Sequence, residues 1–223
     1  MDWNLFFEPI VVSLRIAIPA SLIVFAAAAL AARAMARSRM RPLAKAIVDA
    51  LLLLPLVLPP TVVGFILLVA LGRRSWIGRL LEALTGGPVV FTWGAAVIAA
   101  AVVAFPLAYR TMRAGFEAVD RELEDAARSQ GASEWQVFLR ITMPLASRSL
   151  AAGYILGFAR GLGEFGATLM VAGNIPGRTR TLPSAVYAAV DTGDYGLAWG
   201  WAAMIVVISL AMLYLSARFA PKP

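Results

Sequence analysis

Residues 149–173 read SLAAGYILGFARGLGEFGATLMVAG, and two incompatible folds can be written on them. Gly161-Leu-Gly-Glu-Phe-Gly166 matches G-x-G-x-x-G, which in a dinucleotide-binding domain lies between a strand and a helix start of a βαβ unit. Here the glycines lie in a 25-residue segment whose only charges are Arg160 and Glu164. About 20 mostly apolar residues suffice to cross a bilayer as a helix. The surroundings decide between the two. Four other stretches have the same character: 10–32, 46–71, 89–109 and 197–217. Of the 223 residues 61% are hydrophobic and 15% charged, with a mean hydropathy of +0.78. A soluble domain carries about 45–50% apolar and about 25% charged residues. The glycine motif is therefore a chance match inside a spanning helix, and the chain is an all-α membrane protein with five transmembrane helices. A ten-residue piece, 76–85, is amphipathic and too short to cross.

Charge gives the direction of insertion, because loops on the cytoplasmic side carry an excess of Lys and Arg. The linker 33–45 holds five basic residues and no acid, the loop 110–148 holds six, and the tail adds Arg218 and Lys222. The opposite side has only Arg73, Arg74, Arg79, Arg178 and Arg180. The expected topology has the N-terminus outside and the C-terminus in the cytoplasm. Residues 1–9 contain two acids and no basic start, so no cleaved signal is expected and the first span serves as an anchor. No repeat or linker divides residues 1–223, which read as one transmembrane domain.

Taken as one straight helix, 149–173 places Gly153, Gly157, Arg160, Gly161, Glu164, Ala167, Thr168 and Val171 on one face. Ala151, Ile155, Phe158, Leu162, Phe165 and Leu169 cover the other. Gly153, Gly157 and Gly161 form a small-residue stripe suited to close helix packing. Arg160 and Glu164 are spaced to pair. Charges at membrane depth normally face a bundle interior or a wet cavity. Arg160, Glu164 and Thr168 are thus candidates for a pathway or gate; an ion pair that only fixes packing is the bland alternative. In the second span Pro55, Pro59 and Pro60 must break or kink the helix. Lys45 and Asp49 are expected to pair at i,i+4, and Arg15 to snorkel or pair.

The loop 110–148 balances its six basic residues with six acids. Asp120 can cap a helix running through Leu123, Ala126 and Ala127, and Gly131 supplies the positive φ that ends it. Ser133-x-x-Gln136 is a capping box for a second short helix carrying Trp135, Val137 and Phe138. The result is a compact helix–Gly–helix knob, with Pro144 leading to the next span.

Asp125-Ala126-Ala127-x3-Gly131-x9-Ile141-x-Met143-Pro144 resembles the E-A-A-x3-G-x9-I-x-L-P signature of permease subunits of bacterial ABC importers. Asp125 stands for Glu and Met143 for Leu, with every spacing kept. The resemblance implies that the knob is a coupling helix docking into a cytoplasmic ATPase. Asp125, Ala126, Ala127 and Gly131 would form its bend, Ala132 to Phe138 would flank the contact, and Ile141 and Pro144 would follow. Four further stretches are similar to molybdate permease subunits: Leu54-Pro-Leu-Val-Leu-Pro-Pro60, Gly72-Arg-Arg74, Gly163-Glu-Phe-Gly-Ala-Thr168, and Asn174-Ile-Pro-Gly-x-Thr-Arg-Thr-x-Pro-Ser-Ala-x-Tyr187. The fold implied is the type I importer core in a bacterial inner membrane. The partners implied are a second permease copy, two ATPase subunits and a periplasmic molybdate-binding protein. ATP and Mg would sit on the ATPase, leaving no cofactor on this chain. The last span is followed by six residues, so a regulatory domain is expected elsewhere. Sulfate or tungstate import by the same machinery is the alternative.

The remaining classes have little to stand on. With no His and no Cys there is no imidazole base, thiolate nucleophile or usual transition-metal site, and no pair of carboxylates converges on one helix face. No catalytic or metal site is expected, which speaks against an intramembrane enzyme. A scaffold without transport would keep the knob but would not require Arg160 and Glu164 in a span. The basic excess of +7 is read as membrane orientation, not nucleic-acid binding.

Overall fold

The structure is a computed structural model that describes residues 3–219. Residues 1–2 and 220–223, among them Asp2 and Lys222 of the charge tally, lie outside the described residues. Every regular element among the described residues is helical. The chain runs α1 (Trp3–Ala36), α2 (Pro42–Val57), α3 (Pro60–Leu71), α4 (Trp76–Thr85) and α5 (Trp93–Glu117). It continues through α6 (Arg121–Ser129), α7 (Glu134–Val137), α8 (Met143–Leu162), α9 (Gly166–Ala172), α10 (Leu182–Asp191) and α11 (Tyr195–Phe219).

Small residues set the packing. On α5, Ala95, Ala96, Ala99, Ala100, Val103, Ala104 and Ala108 are buried, giving a flat surface on which α1 and α8 lie. The facing edge of α1 repeats every fourth residue: Val12, Ile16, Ala20, Val24, Ala28 and Ala32. That row is the ridge of one helix packing into the groove of another. From α8, Gly153 and Gly157 meet the same surface. A Cβ on Gly153 would come within 2.7 Å of Met112 Cγ, and one on Gly157 within 3.2 Å of Ala108 Cβ. Gly161 has ordinary clearance, 3.8 Å from the Ala100 carbonyl and Ala104.

Three helices, α1, α5 and α11, are long and apolar enough to span a membrane; α1 and α11 contain the first and fifth expected spans, and α5 covers the third from Trp93, four residues later than expected. The second and fourth expected spans are not continuous. The second is α2 and α3 bent by 108°, so of the break or kink expected from its prolines the structure shows a break. Leu58 (φ −68°, ψ 140°) and Pro59 (φ −53°, ψ 135°) are extended, because each precedes a proline, whose ring disfavours helical geometry in the residue before it. Pro55 alone is tolerated within α2. The fourth is α8 and α9 bent by 58°, so the expected single helix over 149–173 breaks at residues 163–165. The G-x-G-x-x-G motif therefore straddles a helix break and has no strand before it. On the small and charged side Gly153, Gly157, Gly161, Glu164, Ala167, Thr168 and Val171 are buried, and on the bulky side Ile155 and Leu162 are buried while Ala151, Phe158, Phe165 and Leu169 are half-buried.

The two breaks meet. A Cβ on Gly166, at the start of α9, would lie 3.1 Å from Pro60 Cβ at the start of α3, and one on Gly64 would lie 2.8 Å from Ala167 Cα. The half-helices α3 and α9 are packed together, while Pro59 and Pro60 at the first break and Gly163 at the second stay exposed on the described surface. Irregular backbone at membrane depth must be buried in protein or line a wet cavity. Helix α4 occupies the residues expected for the short amphipathic piece. Ser75 Oγ caps it by accepting from Gly78 N–H at 2.8 Å, and Gly86 ends it at φ 75°. Helix α10 was not anticipated; it lies within the 174–196 loop and packs on α11 through Leu182, Ala185, Ala189, Ala198 and Trp201.

Candidate functional site

Two regions hold the residues singled out in the sequence, a knob at the arginine-rich end and the paired helix breaks.

The knob is built by local capping. Asp120 Oδ1 accepts from Glu122 N–H at 2.9 Å and opens α6. At the other end Ala132 N–H reaches Ala127 O at 3.1 Å and Gly131 N–H reaches Arg128 O at 2.9 Å, with Gly131 at φ 87°. This pair of bonds is a Schellman closure, which needs a left-handed residue in the position Gly131 occupies. Ser133 and Gln136 form a reciprocal capping box: Gln136 Oε1 accepts from Ser133 N–H at 2.8 Å, and Ser133 Oγ from Gln136 N–H at 3.3 Å. Arg128 clamps the turn from inside. Its Nε donates to Glu134 Oε1 at 2.6 Å, its Nη2 to Glu134 Oε2 at 3.2 Å, and its Nη1 to Asp125 Oδ1 at 2.6 Å. These bonds, Glu134's first, hold Arg128 above arginine's ordinary pKa.

After α7 the helix passes through one π turn, Phe138–Thr142, before α8. Pro144 has no N–H to give, and Met143 N–H bonds Phe138 O, five residues back. The ladder is thus shifted by one residue just before proline, a device often found at functional positions. Asp125, Ala126, Gly131 and Pro144 are exposed, while Ala127 and Ile141 are half-buried. The outer surface of the knob also carries Leu123, Trp135 and Leu139, all exposed, with Trp135 at 64%.

The knob is anchored by a group that the sequence reading missed. Glu124, counted there among loop charges, is 4% exposed. Its Oε1 accepts from Arg37 Nη2 at 2.8 Å and from Thr142 Oγ1 at 2.7 Å. The Arg33 guanidinium stacks over the Phe138 ring at 3.6 Å. A half-open cavity of about 660 Å³ lies beside this cluster, between Arg33, Arg39 and Arg121. Nearby, Asp49 is bound by Arg113 Nη1 and by the Tyr109 hydroxyl, the latter at 2.7 Å. The expected Lys45–Asp49 pair is replaced by this one, because α5 brings two donors to Asp49 across the helix packing. Arg15 has an exposed side chain that stacks over Trp93 at 5.3 Å.

At the breaks, Arg160 Nη1 donates to Glu164 Oε2 at 2.7 Å, and Glu164 Oε1 accepts from Ala167 N–H at 2.9 Å. Glu164 therefore does two things at once: it neutralises Arg160 at the end of α8 and caps the first turn of α9. Its side chain is 1% exposed against 31% for Arg160. Thr168 is buried and turns its hydroxyl back to Phe165 O at 2.9 Å. The structure brings Arg160, Glu164 and Thr168 together across the bend. Gly153, Gly157 and Gly161 sit apart from them on the α8–α5 contact, and the knob residues lie at the arginine-rich end. No group of acids able to hold a metal ion occurs among the described residues.

Comparison with known proteins places this geometry. Residues 24–223 match the family described as binding-protein-dependent transport system inner membrane component. The chain is 52% identical over 209 residues to a putative molybdenum transport system permease protein, YvgM, of Bacillus subtilis, covering 94% of this chain and 91% of that one. It is 49% identical over 174 residues to the molybdenum transport system permease protein ModB of Escherichia coli, covering 77% and 74%. Among solved structures, a bacterial ABC transporter involved in import of the acidic polysaccharide alginate superposes with a TM-score of 0.72 at 16% identity. That match covers 98% of this chain and 81% of the other.

Proposed function

The chain belongs to the family of inner membrane components of binding-protein-dependent transport systems, and from that premise we propose that it is the permease subunit of an ATP-driven molybdate importer. The near-full-length identity to YvgM, above half of all aligned positions, carries this reading. The permease is not itself an enzyme; a partner ATPase hydrolyses ATP, with ATP and Mg bound there. Importers of this kind draw substrate from a periplasmic binding protein. For this chain the binding protein is one that presents molybdate, and two copies of the permease form the pathway between two ATPase subunits.

The charge asymmetry orients the knob to the cytoplasm. There Leu123, Trp135 and Leu139 are exposed on a rigidly capped pair of short helices, which suits insertion into a groove of the ATPase. The residues from Asp125 to Gly131 form the bend and Ile141 and Pro144 lead the motion into α8. The bends α2–α3 and α8–α9 are the parts able to change angle, with Arg160, Glu164 and Thr168 lining the gate between them. Gly153 and Gly157 keep α8 tight against α5 while the bend moves, and Gly161 leaves slack near it.

The test is ATP-dependent uptake of labelled molybdate into vesicles containing this chain, its ATPase and its binding protein, with sulfate or tungstate as competitor. Uptake that persists in excess sulfate is the expected result. Loss of uptake to sulfate would assign the sulfate alternative, and no uptake of any oxyanion would overturn the substrate class.

A further inference from the structure

Helical patterning would bury Leu123 and leave Glu124 in water, and the structure reverses them: Leu123 is 49% exposed and Glu124 4%. Burying a carboxylate is unfavourable unless donors satisfy it. Here the two donors come from outside α6. Arg37 lies just past the end of α1 at 2.8 Å, Thr142 ends the π turn that feeds α8 at 2.7 Å, and Arg128 of α6 itself stands at 3.8 Å. Arg37 also donates to Val119 O at 3.3 Å, and Arg33, one turn earlier on α1, stacks on Phe138.

The far end of α1 is bonded too. Ser13 Oγ accepts from Leu182 N–H of α10 at 2.7 Å, and Phe6 O accepts from Trp201 Nε1 of α11 at 2.9 Å. Helix α1 is therefore fixed to the knob at one end and to α10 and α11 at the other. We propose that Glu124 is a positioning residue for coupling: by holding Arg37 and Thr142 on one oxygen, it makes the knob, α1 and the start of α8 move as one body. Displacement of the knob by the ATPase is then delivered along α1 to the opposite side of the membrane as well as along α8 to the break. Glu124 precedes the sequence signature, which begins at Asp125, and the inference rests on the coupling reading above.

The test uses the full complex in vesicles and measures ATPase co-purification, ATP hydrolysis, and molybdate taken up per ATP. Glu124→Gln keeps an acceptor for Thr142 but removes the charge that holds Arg37. It should co-purify with the ATPase while uptake per ATP falls tenfold or more. Arg37→Ala should match it, and Arg37→Lys should restore uptake per ATP to within about twofold of the parent. A structural role alone would reduce the amount of complex and leave uptake per ATP of the remainder unchanged. That result, or a parent-like ratio in Glu124→Gln, overturns the proposal. If Glu124→Gln does not assemble, the two Arg37 variants decide on the same ratio. Trp135→Glu serves as the control on the premise. If it still binds the ATPase and transports, the coupling reading fails and takes the proposal with it, whereas the Glu124 outcomes overturn the proposal alone.

Discussion

Glu164 holds two donors that no other single side chain at the bend could serve together, the Arg160 guanidinium and the Ala167 N–H. Removing one partner of a buried pair costs about 3–5 kcal/mol; because Arg160 retains some exposure, Glu164→Ala is expected near the low end, about 3 kcal/mol. Thermal unfolding of the purified complex should show the loss, and uptake should fall at least tenfold. Glu164→Gln keeps the acceptor for Ala167 and should lie between the two. Parent-like uptake by Glu164→Ala would remove this pair from the gate. The Arg160–Glu164 contact was legible in the sequence because its partners are four residues apart, a separation short enough to survive the break after Leu162. Asp49 shows the opposite case: Lys45 is the near partner in sequence, but Arg113, 64 residues away, takes the carboxylate. Glu124 was illegible for the same reason, its donors lying on α1 and at the π turn.

At the scale of elements, the knob could be written out from local rules. Asp120, Gly131, Ser133 and Gln136 each act within a few residues of themselves, so spacing alone specifies the caps. Gly131 tests this directly. A left-handed conformation costs an ordinary L-residue about 1–2 kcal/mol, so Gly131→Ala should retain the ATPase with a modest loss of thermal stability. Gly131→Pro cannot adopt φ 87° and also lacks the N–H that bonds Arg128 O. It should insert in the membrane but abolish ATP-driven uptake; normal uptake would sink the role given to the bend. The broken spans were only half legible. Pro59 and Pro60 announced a disruption, but its angle depends on α9 packing against α3. The second break has no proline: the Glu164 cap stabilises it, and hydropathy reads straight across both. Helix α10 escaped notice because it is short and its apolar face is defined by contact with α11.

For the whole molecule, the unequal distribution of arginine is the feature from which its orientation is proposed, and it can be checked without knowing the substrate. The chain contains no Cys, so a single introduced thiol reports alone. In intact cells a membrane-impermeant maleimide should label Thr85→Cys, in α4, and should label Gln130→Cys, at the tip of the knob, only after permeabilisation. The reverse pattern would invert the topology and remove the knob from the side where ATP is present. The long spans and the arginine bias were readable at this scale because both are sums over many residues. The meeting of the two breaks was not, since it joins segments about a hundred positions apart.

The Arg160–Glu164 contact has an electrical consequence. Moving one elementary charge through the full membrane potential is worth about 2.3 kcal/mol per 100 mV. A guanidinium and a carboxylate bonded at 2.7 Å travel as a neutral dipole, so a bend that carries them together displaces almost no net charge. The conformational cycle should then be nearly insensitive to voltage. The cargo is not: a doubly charged oxyanion entering an inside-negative cell works against about 5 kcal/mol per 100 mV. The potential would then fall on the passenger and not on the proposed gate, and nucleotide hydrolysis must supply that work.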